Sequence, residues 1–222
     1  MKDNGNEIIV PTYIINLKKR KDRLAHIKSQ FKHREEFEIN IVEASEHTIG
    51  ALGLWQSICK VIRLAIEKDE DVIILCEDDH EFTEDYNREN FIESIYEAYR
   101  LKANLLLGGI NGGFTNILPL PSGLFWLDNF WGTHFVVVFK TFFETILNEP
   151  FLDTDVADIK LAEMTSNKFV MYPMISIQKG FGYSDISKSN HTNEHLQYLN
   201  STNALRLKKI YTAYKNSLLL QM

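Results

Sequence analysis

Cysteine is scarce in this chain: Cys59 and Cys76 are the only two in 222 residues. Both sit in apolar runs, so they read as buried thiols in a reducing compartment, not as a disulfide framework or a zinc site. Long apolar stretches are also missing. None approaches the roughly 18 consecutive apolar residues of a membrane span. The polar opening from Met1 to Asn6 has no signal-type apolar region behind it. Basic charge is not in excess, with 24 Lys and Arg against 30 Asp and Glu and a net charge of -6. That argues against a face that coats nucleic acid, while leaving room for a local basic pocket that holds a phosphate. No internal repeat or linker-like break in composition is present. These absences predict one cytoplasmic, soluble domain over 1–222, with a C-terminal helix over 203–222.

What the chain does have is an ordinary globular balance, 45% hydrophobic and 24% charged, enough to bury a core unaided. Its 14 Phe, 9 Tyr and 3 Trp are many, so some rings are expected to serve a ligand. Thr12 to Leu17 reads as a buried strand. A charged turn and an amphipathic helix through Leu24, Ile27 and Phe31 follow. Phe37 to Val42 reads as a second strand and Leu52 to Ile66 as a largely buried helix. Asp71 to Cys76 is the clearest strand of all. A helix through Phe91–Tyr99 and a short strand over Leu105–Leu107 come next, and Asn111 to Asn129 is expected to be a long functional loop. Strands at His134–Phe139 and Phe169–Tyr172, short helices from Phe142 and Asp155, a polar loop over Ser184–Asn203 and a helix over Ala204–Leu220 complete the reading. Alternation of strand and helix over the first half implies βαβ units, an α/β fold and a mostly parallel sheet.

The strongest chemical signal is the turn after the best strand. Six of the nine residues from Glu77 to Asp85 are carboxylates, with no Lys or Arg among them. The carboxyl end of a strand is where open α/β sheets bind ligands. Clustered carboxylates there repel one another and lose hydration, and a divalent cation relieves both. Hard oxygen ligands suit Mg²⁺ or Mn²⁺, completed by water and substrate phosphates. This marks Asp79, Glu77 and Asp78 as metal ligands, with a solvated turn as the plainer alternative. Glu84 and Asp85 are expected to start the next helix and complement its dipole. His80, His191 and His195 are further imidazoles to weigh, each more in keeping with a surface residue.

Tyr13-Ile14-Ile15-Asn16-Leu17, Arg20 and Asp22-Arg23-Leu24 together resemble the opening of glycosyltransferase family 25, the lipooligosaccharide and procollagen galactosyltransferases. Gly53-Leu54-Trp55-Gln56-Ser57 is similar to that family's Gly-Cys-x-x-Ser-His segment. Ile74 to Asp79 resembles its Glu-Asp-Asp turn, and Tyr172-Pro173, Gln178 and Ser184-Asp185-Ile186 resemble its late segment. The resemblance covers about residues 12–186. It implies a GT-A-type Rossmann-like sheet with flanking helices, a UDP-sugar donor (UDP-galactose foremost), Mn²⁺ or Mg²⁺, a cell-surface glycan acceptor, and transfer with inversion. Asn16, Leu17, Arg20, Arg23, Ser57 and Asp78 would then contact the donor. The family's Cys and His are Leu54 and Ile58 here.

Inverting transfer asks for a carboxylate opposite the leaving group. Asp158 is the first choice, followed by Asp155, which is also a natural N-cap, and Asp185. Arg20 and Arg23 suit bidentate contacts to a diphosphate, whereas Lys18, Lys19 and Lys21 read as a solvated helix start. Trp126, Phe130 and Trp131 flank the irregular loop as candidate sugar platforms, with core packing the commoner role for any one ring. The last helix has an apolar stripe that could dock within the chain, across a dimer or peripherally on a membrane surface. A non-catalytic member that binds a nucleotide sugar or carbohydrate is the alternative function.

Overall fold

The computed structural model of the chain describes residues 8–182 and 193–220. Asp185 and His191 therefore lie outside the described residues. In chain order the elements are β1 Val10–Asn16, α1 Lys21–Gln30, β2 Phe37–Glu43, α2 Gly50–Glu67, β3 Val72–Glu77, β4 His80–Phe82, α3 Arg88–Arg100 and β5 Leu105–Leu107. There follow β6 Ile117–Pro119, β7 Leu124–Leu127, β8 Phe135–Phe139, α4 Phe143–Asn148, α5 Ala157–Glu163, β9 Lys168–Met171, β10 Ser176–Gln178 and α6 Asn193–Leu219. The fold is α/β, a Rossmann-like sheet with flanking helices.

Eight strands form the main sheet in the order β2-β1-β3-β8-β5-β9-β7-β6, and β4 pairs with β10 in a separate ribbon. β1 lies parallel to β2 and β3, β8 runs antiparallel between β3 and β5, and β5 is parallel to β9. Successive residues of a strand face opposite sides, and the core divides accordingly. Tyr13, Ile15, Ile73 and Leu75 pack with α2 on one face, beside residues of α4, α5 and α6. Ile14, Ile74 and Cys76 pack with α1 and α3 on the other. Covered on both faces, β1 is buried at every position, whereas edge strand β2 exposes Glu38, Ile39 and Ile41.

Several expectations change. The stretch from Asn111 to Asn129 contains a hairpin, β6–β7, whose strands are too short to show a period. α6 begins at Asn193, within the stretch expected to be a polar loop and well before the expected helix start at Ala204. Glu84 and Asp85 do not start α3, which begins at Arg88 and is capped by the Asn87 side chain accepting from Asn90 N at 2.9 Å. A short strand, β4, intervenes where only an acidic turn was expected.

Candidate functional site

Parallel pairing of Ile15 with Glu77 brings the carboxyl ends of β1 and β3 side by side. The chain leaves β1 through Leu17–Arg20 into α1, and leaves β3 through Glu77–Asp79 into the β4–β10 ribbon. A cavity of about 330 Å³ opens there. Leu17, Lys19, Arg20 and Arg23 line it from the first turn, and Glu77, Asp78 and Asp79 from the second. Glu46, His47 and Thr48 line it from the loop after β2, Ser57 from α2, and Gln178 from β10.

Arg23 organises the acids. It is buried, and its Nη1 lies 3.1 Å from Asp78 Oδ1 and 3.2 Å from Asp79 Oδ2. Asn16, buried at the end of β1, donates from Nδ2 to Asp78 Oδ2 at 2.8 Å. Gln178 donates from Nε2 to Asp79 Oδ2 at 3.0 Å, and its Oε1 accepts from Asn111 Nδ2 at 2.7 Å. The ribbon makes this reach possible, because Lys179 N donates to Asp79 O and Gln178 pairs with His80. Asp79 Oδ1 is buried and, among the described residues, accepts no hydrogen bond. Burial raises the Asp78 and Asp79 carboxyls; Arg23 opposes that shift at both, together with Gln178 at Asp79.

Glu77 takes a different partner, the Thr133 hydroxyl, which donates to Oε1 at 2.6 Å. Burial, with the Asp79 charge next, pushes its carboxyl up to about 8. The three acids expected to act as metal ligands thus diverge: two lean on Arg23 and the third on Thr133. Among the described residues no group of three or more His, Cys, Asp or Glu forms a metal cage. The remaining acceptor, Asp79 Oδ1, fits a Mg²⁺-type ion that takes one or two carboxylates and completes its shell from substrate phosphates.

The other expected residues fall as follows. Ser57 borders the cavity, but its hydroxyl donates to Gly53 O at 2.7 Å and accepts from Ser45 N at 2.8 Å, tying the loop after β2 to α2. Ile58, at the position where the sequence resemblance would put a His, is buried in the core beneath. His47 instead supplies an imidazole to the cavity wall. It was not singled out from the sequence, although its place after a parallel strand is a usable signal. Lys19, read as part of a solvated helix start, reaches the rim and pairs with Glu46 at 2.7 Å. His80 is not a surface residue. It is fully buried among Phe31, Phe82 and Phe135, its Nδ1 is 2.7 Å from Ser176 Oγ, and burial holds it well below the ordinary imidazole range.

Asp155 and Asp158 do not share partners, despite their one-turn spacing. Asp155 precedes α5, accepts from Leu152 N at 2.9 Å and pairs with Lys160 at 3.1 Å, which lowers its carboxyl. The residue at the N-cap position is Val156. Asp158 accepts from Gly132 N and Ile159 N, each at 2.8 Å, while burial raises it. Of the two it is the one linked to the acidic turn, because it holds Gly132 N and the next residue, Thr133, donates to Glu77.

The three flanking rings separate cleanly. Phe130 is fully buried in the core. Trp126 donates from Nε1 to Ser166 O at 2.7 Å, in the strand layer. Trp131 is 48% exposed, and its carbonyl accepts from Asn111 N, one residue-link from Gln178 and Asp79. Gly113, at φ +90, lets the chain pass under the indole, since a Cβ there would lie 2.8 Å from Trp131 Cδ1.

No family model matches the chain, and no curated protein matches it. Several solved structures are similar at low identity. A197 from STIV is 12% identical, with 80% of this chain and 87% of that one covered at a TM-score of 0.47. A glycosyltransferase involved in the glycosylation of the major capsid of PBCV-1 is 14% identical over 74% and 82%, at 0.46. An apo-UDP-glucose pyrophosphorylase is 11% identical over 89% and 82%, at 0.47.

Proposed function

We propose that the chain is a metal-dependent inverting glycosyltransferase that moves a sugar from a UDP-sugar, with UDP-galactose the first donor to test, onto a cell-surface glycan. The carrying observation is the cavity at the joined ends of β1 and β3, where a buried guanidinium holds two carboxylates and one carboxylate oxygen is left open. That combination suits a sugar diphosphate. Lys19 and Arg20 on the wall supply charge for the phosphates, and Arg23 holds Asp78 and Asp79 in place and opposes the shift that burial imposes on them. Bound Mn²⁺ or Mg²⁺ would be held by Asp79 together with the donor's phosphates, and would neutralise charge on the departing diphosphate.

The acceptor would enter from the side of Trp131, whose exposed indole offers a face to the apolar side of a sugar ring. Asp158 takes the role of general base in this reading. Two backbone N–H groups fix its carboxylate, and burial brings its affinity for protons closer to neutrality. Asp155, held by Lys160, is set aside for that role.

A second reading, donor binding without transfer, is favoured by one observation: both oxygens of Asp158 already accept hydrogen bonds. One assay separates the two readings. Incubate the protein with a panel of UDP-sugars and Mn²⁺, with and without oligosaccharide acceptors, and follow UDP release. Catalysis predicts release from one donor that drops about a thousandfold in Asp158→Asn. UDP binding with no release from any donor selects the second reading, and no UDP binding at all overturns both.

A further inference from the structure

α6 exposes more than its docking uses. Its inward stripe is Leu196, Asn200, Asn203 and Leu207, continued by half-buried Ile210, Tyr211 and Tyr214. The Tyr211 ring packs on Phe125 and Tyr172. Beyond Tyr214 every described residue is exposed, including three consecutive leucines. Leu219 and Leu220 are 70% and 89% exposed, and Leu205, one residue before Arg206, is also exposed. Leu205, Lys208, Thr212, Lys215 and Leu219 recur at spacings of three and four, which places them on one outward stripe.

The charge on this segment opposes that of the whole. The chain carries -6, yet from His195 to Leu220 there is no Asp or Glu against Arg206, Lys208, Lys209 and Lys215. Arg206 is committed to the Phe114 ring at 4.1 Å. Among the described residues Lys208, Lys209 and Lys215 form no salt bridge, and Lys215 rests on the Tyr211 ring at 5.3 Å. Lysines beside exposed leucines match the layered chemistry of an anionic bilayer, with phosphate outside and hydrocarbon beneath. A second copy meeting this face through a two-fold axis would set like charges against each other. No helix among the described residues is long and apolar enough to cross a membrane, so contact would be from one side.

We propose that the outward stripe and last turns of α6 are a docking surface for an anionic lipid bilayer. Leu218, Leu219 and Leu220 enter the boundary between headgroup and acyl chain, and Lys208, Lys209 and Lys215 meet the lipid phosphates. The proposal is independent of what the cavity binds.

Vesicle flotation tests it. The protein should float with phosphatidylethanolamine–phosphatidylglycerol vesicles and stay behind with phosphatidylcholine vesicles. Binding should fall about tenfold or more when Leu218, Leu219 and Leu220 are all changed to Ser, and likewise for Lys208→Glu, Lys209→Glu and Lys215→Glu combined. Circular dichroism confirms that each variant is folded, and raising salt on the unaltered protein gives the electrostatic arm without any substitution. Failure to float with anionic vesicles, equal binding by folded variants, or a dimer that the serine variant dissolves would each overturn the proposal.

Discussion

Arg23 sits where two needs meet: it pairs with both Asp78 and Asp79, and it fixes the cavity wall that a diphosphate would touch. A buried cation between two carboxylates is costly to remove, because the acids are then left desolvated and mutually repelling. Arg23→Met should therefore destabilise the fold by about 3–5 kcal/mol, read as a lower midpoint in urea unfolding. An unchanged midpoint would mean that solvent takes over the role of the guanidinium. His134 gives a second check at this scale. Burial pushes its imidazole down to about 4, so it should stay neutral from pH 8 to about pH 5.5, well below the ordinary midpoint near 6.5. A two-dimensional imidazole ¹H–¹⁵N spectrum that shows protonation near that ordinary value would contradict the packing around β8. Much of the residue-level cluster was legible beforehand, because Asn16 and the acidic turn lie at strand ends where parallel sheets bind, and Arg20 and Arg23 follow in the turn and first helical residues after β1. The partners were not legible. Arg23 and Asp78 are 55 residues apart, and Gln178 and Asp79 are 99 apart; only tertiary structure brings them together.

Among the elements, the β4–β10 ribbon does the most to build the site, since it delivers Gln178 to Asp79. It crosses the end of β5 with no clearance. A Cβ on Gly109 would lie 1.9 Å from Ser176 O. Gly109→Ala should force the ribbon away and cost about 1–3 kcal/mol, with a matching loss of donor affinity as Gln178 withdraws. Wild-type stability and affinity in that variant would show that the ribbon does not set the site. The sequence reading found every long or strongly apolar element, such as β1, α2, β3 and β8, because burial on both faces writes an unbroken apolar run. It missed β4, β6, β7 and β10, which are three or four residues long and so too short for a period of two to register. The start of α6 was missed for another reason: its first turns bury Asn200 and Asn203 along with Leu196, so the inner face reads as polar.

At the scale of the whole molecule, two core layers clasp a sheet whose working edge is one crevice. Cys59 and Cys76 lie in opposite layers, both buried, and burial raises both thiols. Neither should react with a thiol reagent such as Ellman's reagent until the chain unfolds, so labelling should follow unfolding and be complete in denaturant. Rapid labelling of one thiol in buffer would show that its layer opens locally. The acidic balance of the chain also has a pattern. Three neighbouring acids gather at the crevice, two of them on Arg23 and the third on Thr133, while α6 carries the opposite charge outward.

The central claim is that this crevice binds a nucleoside diphosphate with help from a cation at Asp79. Calorimetric titration of UDP into the protein, with and without Mn²⁺, measures it directly, repeated on Asp79→Asn. The account predicts UDP binding that Mn²⁺ tightens by about tenfold or more in the unaltered protein, a gain that Asp79→Asn abolishes. UDP affinity indifferent to both the ion and the substitution, or no UDP binding, would contradict it.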